Sequence, residues 1–82
     1  MYLDQTRELL TDTLNLGAAG KALQAESPLL GALPELDSMA VVSVIAALED
    51  RFGIVIDDDD ISASTFETLG SLAAFVEQKS AQ

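Results

Sequence analysis

Apolar residues recur at helical spacing from Tyr2 to Leu16. Leu3, Thr6, Leu10 and Leu14 make one stripe, widened by Leu9, Thr13 and Leu16, so the pattern predicts a first helix with one buried side. Gly17 is the expected stop, because a glycine tolerates the left-handed backbone that ends many helices. Asp4, Glu8 and Asp12 stand in a column at i, i+4, which reads as a solvated acidic face.

The pattern then breaks. Ala18 to Glu35 is punctuated by Gly20, Pro28, Gly31 and Pro34 and reads as a long connection;. Lys21 to Glu26 has room for one helical turn. Leu29, Leu30, Leu33 and Leu36 are too apolar to stand free in water, so the connection is expected to pack along the helices. A loop this long in a compact domain usually has a function or covers something.

The second strong period runs from Asp37 to Phe52. Val41, Val44, Ile45, Leu48 and Phe52 fall at i, i+3, i+4, i+7 and i+11, a core-facing stripe. The opposite side carries Met39, Val42 and Ala46, flanked by Ser43, Glu49 and Asp50. A solvated face would be polar throughout, so this strip must be covered by the preceding loop or by a partner.

Gly53 ends this helix, and Ile54-Val55-Ile56 follows as an extended connector with Ile54 and Ile56 turned into the core. Asp57 to Asp60 suit the positive end of a short third helix reaching to about Ala63. Thr68 is the expected N-cap of a last helix running to about Lys79, with Leu69, Leu72, Ala73 and Val76 as its core stripe. Phe66 anchors the turn before it, and Lys79 complements the dipole at its end. Gly70, inside that helix, is expected to weaken it by about 1 kcal/mol relative to alanine. The sum is an all-α chain, residues 1–82 as one small four-helix up-and-down bundle made of three main helices plus a short third one.

Composition narrows the chemistry. The chain has 82 residues, no histidine, no cysteine and a net charge of −10. Without histidine there is no Ser-His-Asp triad, and without cysteine no disulfide and no thiolate metal site. The charge argues against nucleic acid and anionic membrane surfaces, and for partners with basic patches that it would steer in. The acidic run is not an EF-hand. Counted from Asp57, positions five, six and twelve are Ile61, Ser62 and Thr68, and counted from Asp58, positions six and twelve are Ala63 and Leu69, where calcium needs an oxygen ligand, Gly and Glu;. No metal site is expected, only weak, nonspecific cation binding. Met1-Tyr2-Leu3-Asp4 lacks the basic and apolar regions of a signal peptide, and the run from Met39 to Leu48 is too short to span a bilayer. The expectation is a cytoplasmic, monomeric protein that is not an enzyme.

Ser38 stands where the central helix begins. A Ser or Asp there can serve as an ordinary cap that accepts hydrogen bonds from free backbone N–H groups. Equally, a hydroxyl at a helix N-terminus can carry a phosphodiester, since the dipole and the unpaired N–H groups favour a nearby negative charge.

Leu36-Asp37-Ser38-Met39, the apolar helix after it and Leu48-Glu49-Asp50-Arg51-Phe52-Gly53-Ile54 together resemble the acyl carrier protein family. The resemblance covers nearly the whole chain and is densest from Leu33 to Val76. It implies that Ser38 bears a covalent 4′-phosphopantetheine, placed there from coenzyme A by a phosphopantetheinyl transferase. The arm would hold an acyl group as a thioester and present it to acyl-loading and acyl-accepting enzymes of fatty acid or related lipid metabolism. Asp37, Met39, Val42, Ala46, Glu49 and Asp50 would be the docking face, and Val44, Ile45, Ile56 and Ala73 would line an acyl pocket, unless they are plain core. Common members of the family carry acids at the positions held here by Ala40 and Ser43. That departure points to a specialised carrier, and the Leu33-to-Met39 lead-in is similar to carriers that accompany bacterial exopolysaccharide and exosortase systems. Two rival classes stay open: a peptidyl or aminoacyl carrier, and an unmodified helical adaptor that binds a partner through Met39, Val42 and Ala46.

Overall fold

The computed structural model describes residues 2–81; the side chain of Asp58 falls outside the description, as do Met1 and Gln82 at the ends of the expected domain. The chain is all-helical. Three long helices, α1 (Leu3–Thr13), α3 (Ser38–Phe52) and α4 (Leu69–Ser80), are joined by a four-residue helix α2 (Ala18–Lys21) and a 3-10 turn at Asp58–Asp60. The expected short third helix is therefore only this 3-10 turn. Three successive aspartates repel one another. The Ser and Thr hydroxyls that follow bond locally, with Ser62 N–H donating to Thr65 Oγ1, and so compete with helix propagation;.

α1 is the hub, packing on α2, α3 and α4, whereas the seam between α3 and α4 is thinner than either seam α1 makes with them. Leu10, Val44, Leu48, Leu69, Leu72 and Val76 are fully buried where the three helices meet. Tyr2 meets Phe52 edge to face at 5.3 Å, and Arg51 on α3 reaches Glu8 on α1 at 3.4 Å. Asp4 pairs with Arg7 at 2.7 Å, so two of the three acids in the expected solvated column are ion-paired.

α1 stops earlier than its apolar pattern does. Asn15 takes φ 57°, and Leu16 N–H reaches back to the Thr11 carbonyl at 2.9 Å, a left-handed ending made by asparagine two residues before Gly17;. Leu14 and Leu16 still reach the core from beyond the helix. The helical turn in the long connection forms at Ala18–Lys21 rather than at Lys21 to Glu26.

The connection is zipped to the segment entering α4. Leu29 and Leu30 N–H donate to the Glu67 and Phe66 carbonyls, Leu69 N–H to Ser27, and Gly70 N–H to Ala25 at 2.7 Å. Leu29 and Leu36 are buried and Leu33 half-buried, as the pattern requires, but Leu30 is exposed. On the far side, Ile54 and Ile56 enter the core and Val55 between them points out. Asp60 Oδ2 accepts from Lys79 Nζ at 2.9 Å, so Lys79 is bound to a side chain as well as standing at a helix end. The Lys79 bond, followed by the Asp57 N–H, holds the Asp60 carboxyl below the usual carboxylate range, although partial desolvation opposes them. The stability that this carboxylate contributes is therefore complete above that range and is lost as pH falls through the lowered value.

Thr6 is fully buried in α1, and among the described residues its Oγ1 has no hydrogen-bond partner. A buried hydroxyl left unpaired costs about 1–3 kcal/mol. Thr6→Val, which keeps the shape and removes the orphan, is expected to raise stability by about 1 kcal/mol. Thermal unfolding checks it, and an unchanged or lower melting temperature would count against the assignment of that hydroxyl as a liability.

Candidate functional site

The N-terminus of α3 is built by Asp37, not by Ser38. Asp37 holds an extended backbone, and its Oδ1 accepts from Ala40 N–H at 2.8 Å while its carbonyl takes Val41 N–H. Ser38 is the first helical residue. Among the described residues its exposed hydroxyl makes no hydrogen bond, and the N–H groups of Ser38 and Met39 have no backbone or side-chain acceptor. An uncommitted hydroxyl thus stands on the positive end of a fifteen-residue helix;. Of the four cationic side chains, Arg7, Arg51 and Lys79 are each bound to a carboxylate elsewhere, and Lys21 borders a cleft beside Asp4, Glu8 and Asp12 of α1.

The outer strip of α3 is open. Met39 is 76% and Val42 61% exposed, and Ala46, Ser43 and Asp50 are exposed beside them. The preceding loop packs on the other side through Leu29 and Leu36 and leaves the strip uncovered. Glu49 departs from the expected face. It is half-buried, and its Oε2 accepts from Ile56 N–H at 2.9 Å, tying the Ile54–Asp57 connector to α3. Sequence spacing places Glu49 on the edge of the strip, but it cannot show that the chain folds back to meet it. Val55, 72% exposed beyond the end of α3, is the outward residue of the connector between the buried Ile54 and Ile56.

The four residues expected to line an acyl pocket are packed as core. Val44, Ile56 and Ala73 are 0%, 9% and 4% exposed, and Ile45 is half-buried against the core. Ala73 also borders a small cavity of about 140 Å³ with Leu3, Ala25 and Gly70.

This arrangement has clear relatives. Residues 4–76 match the family described as "Phosphopantetheine attachment site". An acyl carrier protein of Helicobacter acinonychis is 36% identical over 75 residues, spanning 90% of this chain and 88% of that protein. The solution NMR structure of a holo acyl carrier protein from Nitrosomonas europaea is 58% identical and superposes with a TM-score of 0.93 over 100% of this chain and 99% of that one. The chain belongs to the acyl carrier protein family.

As an acyl carrier protein it is a carrier and not an enzyme, and it works with a covalently attached phosphopantetheine. The residues at α3 suit that group: a free, exposed hydroxyl and helix N–H groups open to an anion;. Its partners are a phosphopantetheinyl transferase and the enzymes that load and use acyl groups. The two rival classes, an aminoacyl carrier and an unmodified adaptor, give way to acyl carriage. Among the described residues, no helix is long and apolar enough to cross a membrane.

Proposed function

We propose that Ser38 Oγ is the attachment point. The observation that carries it is the division of labour at α3: Asp37 caps the helix, and Ser38 is left exposed and uncommitted. In the transfer, Ser38 Oγ forms a bond to the phosphorus attached to the pantetheine arm, the pyrophosphate bond of coenzyme A breaks with adenosine 3′,5′-bisphosphate as leaving group, and the hydroxyl proton leaves to solvent or to a base on the transferase. The terminal thiol of the arm then carries the acyl group as a thioester. The arm raises the effective concentration of that acyl group at each partner's active site. The test is the intact mass of the chain before and after incubation with coenzyme A and a phosphopantetheinyl transferase. One added phosphopantetheine, located by fragmentation on Ser38, supports the reading, and its location on another serine overturns it.

The docking face comprises Met39, Val42 and Ala46, edged by Asp37 and Asp50. Glu49 supports it from below by holding the connector. The acids steer basic patches on partners, and the apolar strip supplies contact area. Ala40 and the exposed Ser43 leave the first half of α3 without acids, which supports a specialised partner set over the generic enzymes of fatty acid synthesis. Met39→Ala with Val42→Ala is expected to lower kcat/KM for the transferase by about tenfold or more, since exposed anchors at an interface centre are worth about 1–2 kcal/mol each. The melting temperature should stay close to wild type because neither side chain is buried. Unchanged transfer would move the docking face elsewhere.

The thin seam between α3 and α4 is where an acyl chain would be sheltered, with Val44, Ile45, Ile56 and Ala73 on its walls. Those residues are packed as core here, so the shelter forms by parting the seam. The carrier acts as one domain and as a cytoplasmic monomer, with the exposed Met39 and Val42 open to transient partners.

A further inference from the structure

The stretch from Asp57 to Ser64 is fixed at both ends and between them meets the core through the half-buried Ile61. Ile56 is buried on one side, and Thr65 and Phe66 on the other. Among the described residues, the backbone of the 3-10 turn between these anchors packs against none of the helices. Under it runs an open groove of about 620 Å³, with Phe75 and Ala74 of α4 among its lining residues. Asp60 and Lys79 both border that groove and meet across it at 2.9 Å. The same Asp60 oxygen also accepts from Asp57 N–H at 3.0 Å, so one atom closes the turn and ties it to α4.

We propose that this stretch is a strap over the groove, latched to α4 by the Asp60–Lys79 pair, and that releasing the latch lifts the strap and widens the groove toward Phe75. Two features make the latch a switch and not a permanent staple. First, the strap's other tertiary support is the half-buried Ile61, so its opening is local and leaves the three-helix core intact;. Second, the pair is partly solvated, the Asp60 side chain being 32% exposed, so salt weakens it;. The Ser62, Ser64 and Thr65 hydroxyls bond within the strap or beside its anchor and do not replace the latch.

The test is amide exchange with solvent by NMR on the full, unmodified chain, comparing wild type with Lys79→Gln and Lys79→Arg. In Lys79→Gln, exchange at Asp57 and Asp60 should quicken by about five- to tenfold while amides of α1 and α3 keep their rates. Lys79→Arg, which preserves the charge, should restore most of the protection. Raising salt should quicken the same amides in wild type and have little further effect in Lys79→Gln. Unchanged exchange at Asp57 and Asp60 overturns the latch. So does an acceleration spread evenly over α1 and α3, since that reports a loss of global stability.

Discussion

Ser38→Ala is expected to abolish the gain of phosphopantetheine completely and to leave the fold almost untouched. The first part follows from chemistry, since alanine has no oxygen to take the phosphoryl group. The second part follows from the capping geometry. Asp37 supplies the oxygen that accepts Ala40 N–H, while the Ser38 hydroxyl holds nothing. Alanine is also a good residue for a first helical turn. Melting temperature and circular dichroism should therefore match wild type within error, while the added mass falls to zero. Asp37→Ala is the contrasting control. It should lose about 1 kcal/mol of stability, the usual worth of an N-cap, which is a drop of roughly 4–8 °C for a domain of this size. If Ser38→Ala were the more destabilising of the two, the hydroxyl would be a structural cap, and the attachment point would have to be sought again. Modification that persists in Ser38→Ala would sink the assignment outright.

Much of this site was legible in the residues because the forces that build it are local. A capping residue, an apolar period and a terminal glycine depend on neighbours within a turn or two. They placed α3 between Asp37 and Gly53, and Thr68 at the head of α4, where its Oγ1 takes Ser71 N–H and Ser71 Oγ takes Thr68 N–H. What stayed hidden depends on partners far along the chain. The inward pull on Glu49 needs Ile56 N–H, and the grip on Asp60 needs Lys79, nineteen residues away. The length of the third helix was hidden for another reason. Four adjacent acids suit a helix dipole, but they also repel one another, and the spacing alone does not say which effect wins. The early end of α1 was in principle readable: Asn15 is the residue after glycine best suited to the left-handed region, and the more conspicuous Gly17 masked it;.

Gly70 shows how a long-range contact can reverse the sign of a local rule. By helix propensity, Gly70→Ala should stabilise α4 by about 1 kcal/mol. The fold leaves no room for that gain. A Cβ at position 70 would lie 2.8 Å from the Ala25 carbonyl oxygen and 3.4 Å from its carbon, both backbone atoms of the zipped connection. The Gly70 N–H donates to that same oxygen at 2.7 Å, so the connection cannot retreat without giving up the bond. Overpacking of this kind costs about 1–3 kcal/mol, and loss of the bond adds about 1 kcal/mol. After the propensity gain is subtracted, Gly70→Ala is expected to be destabilised by about 1–3 kcal/mol, a fall of roughly 5–20 °C in melting temperature. Denaturant unfolding should show the midpoint dropping with an unchanged slope. Amide exchange should be fastest at Leu69 and Gly70, which donate to the connection, and at Leu29 and Leu30, which donate back. Ala74→Gly, an exposed position one turn later on the same helix, should lose only the propensity of about 1 kcal/mol;. A more stable Gly70→Ala protein would mean that the connection stands off from α4 in solution and that the zipper between residues 25–30 and 66–70 is not formed.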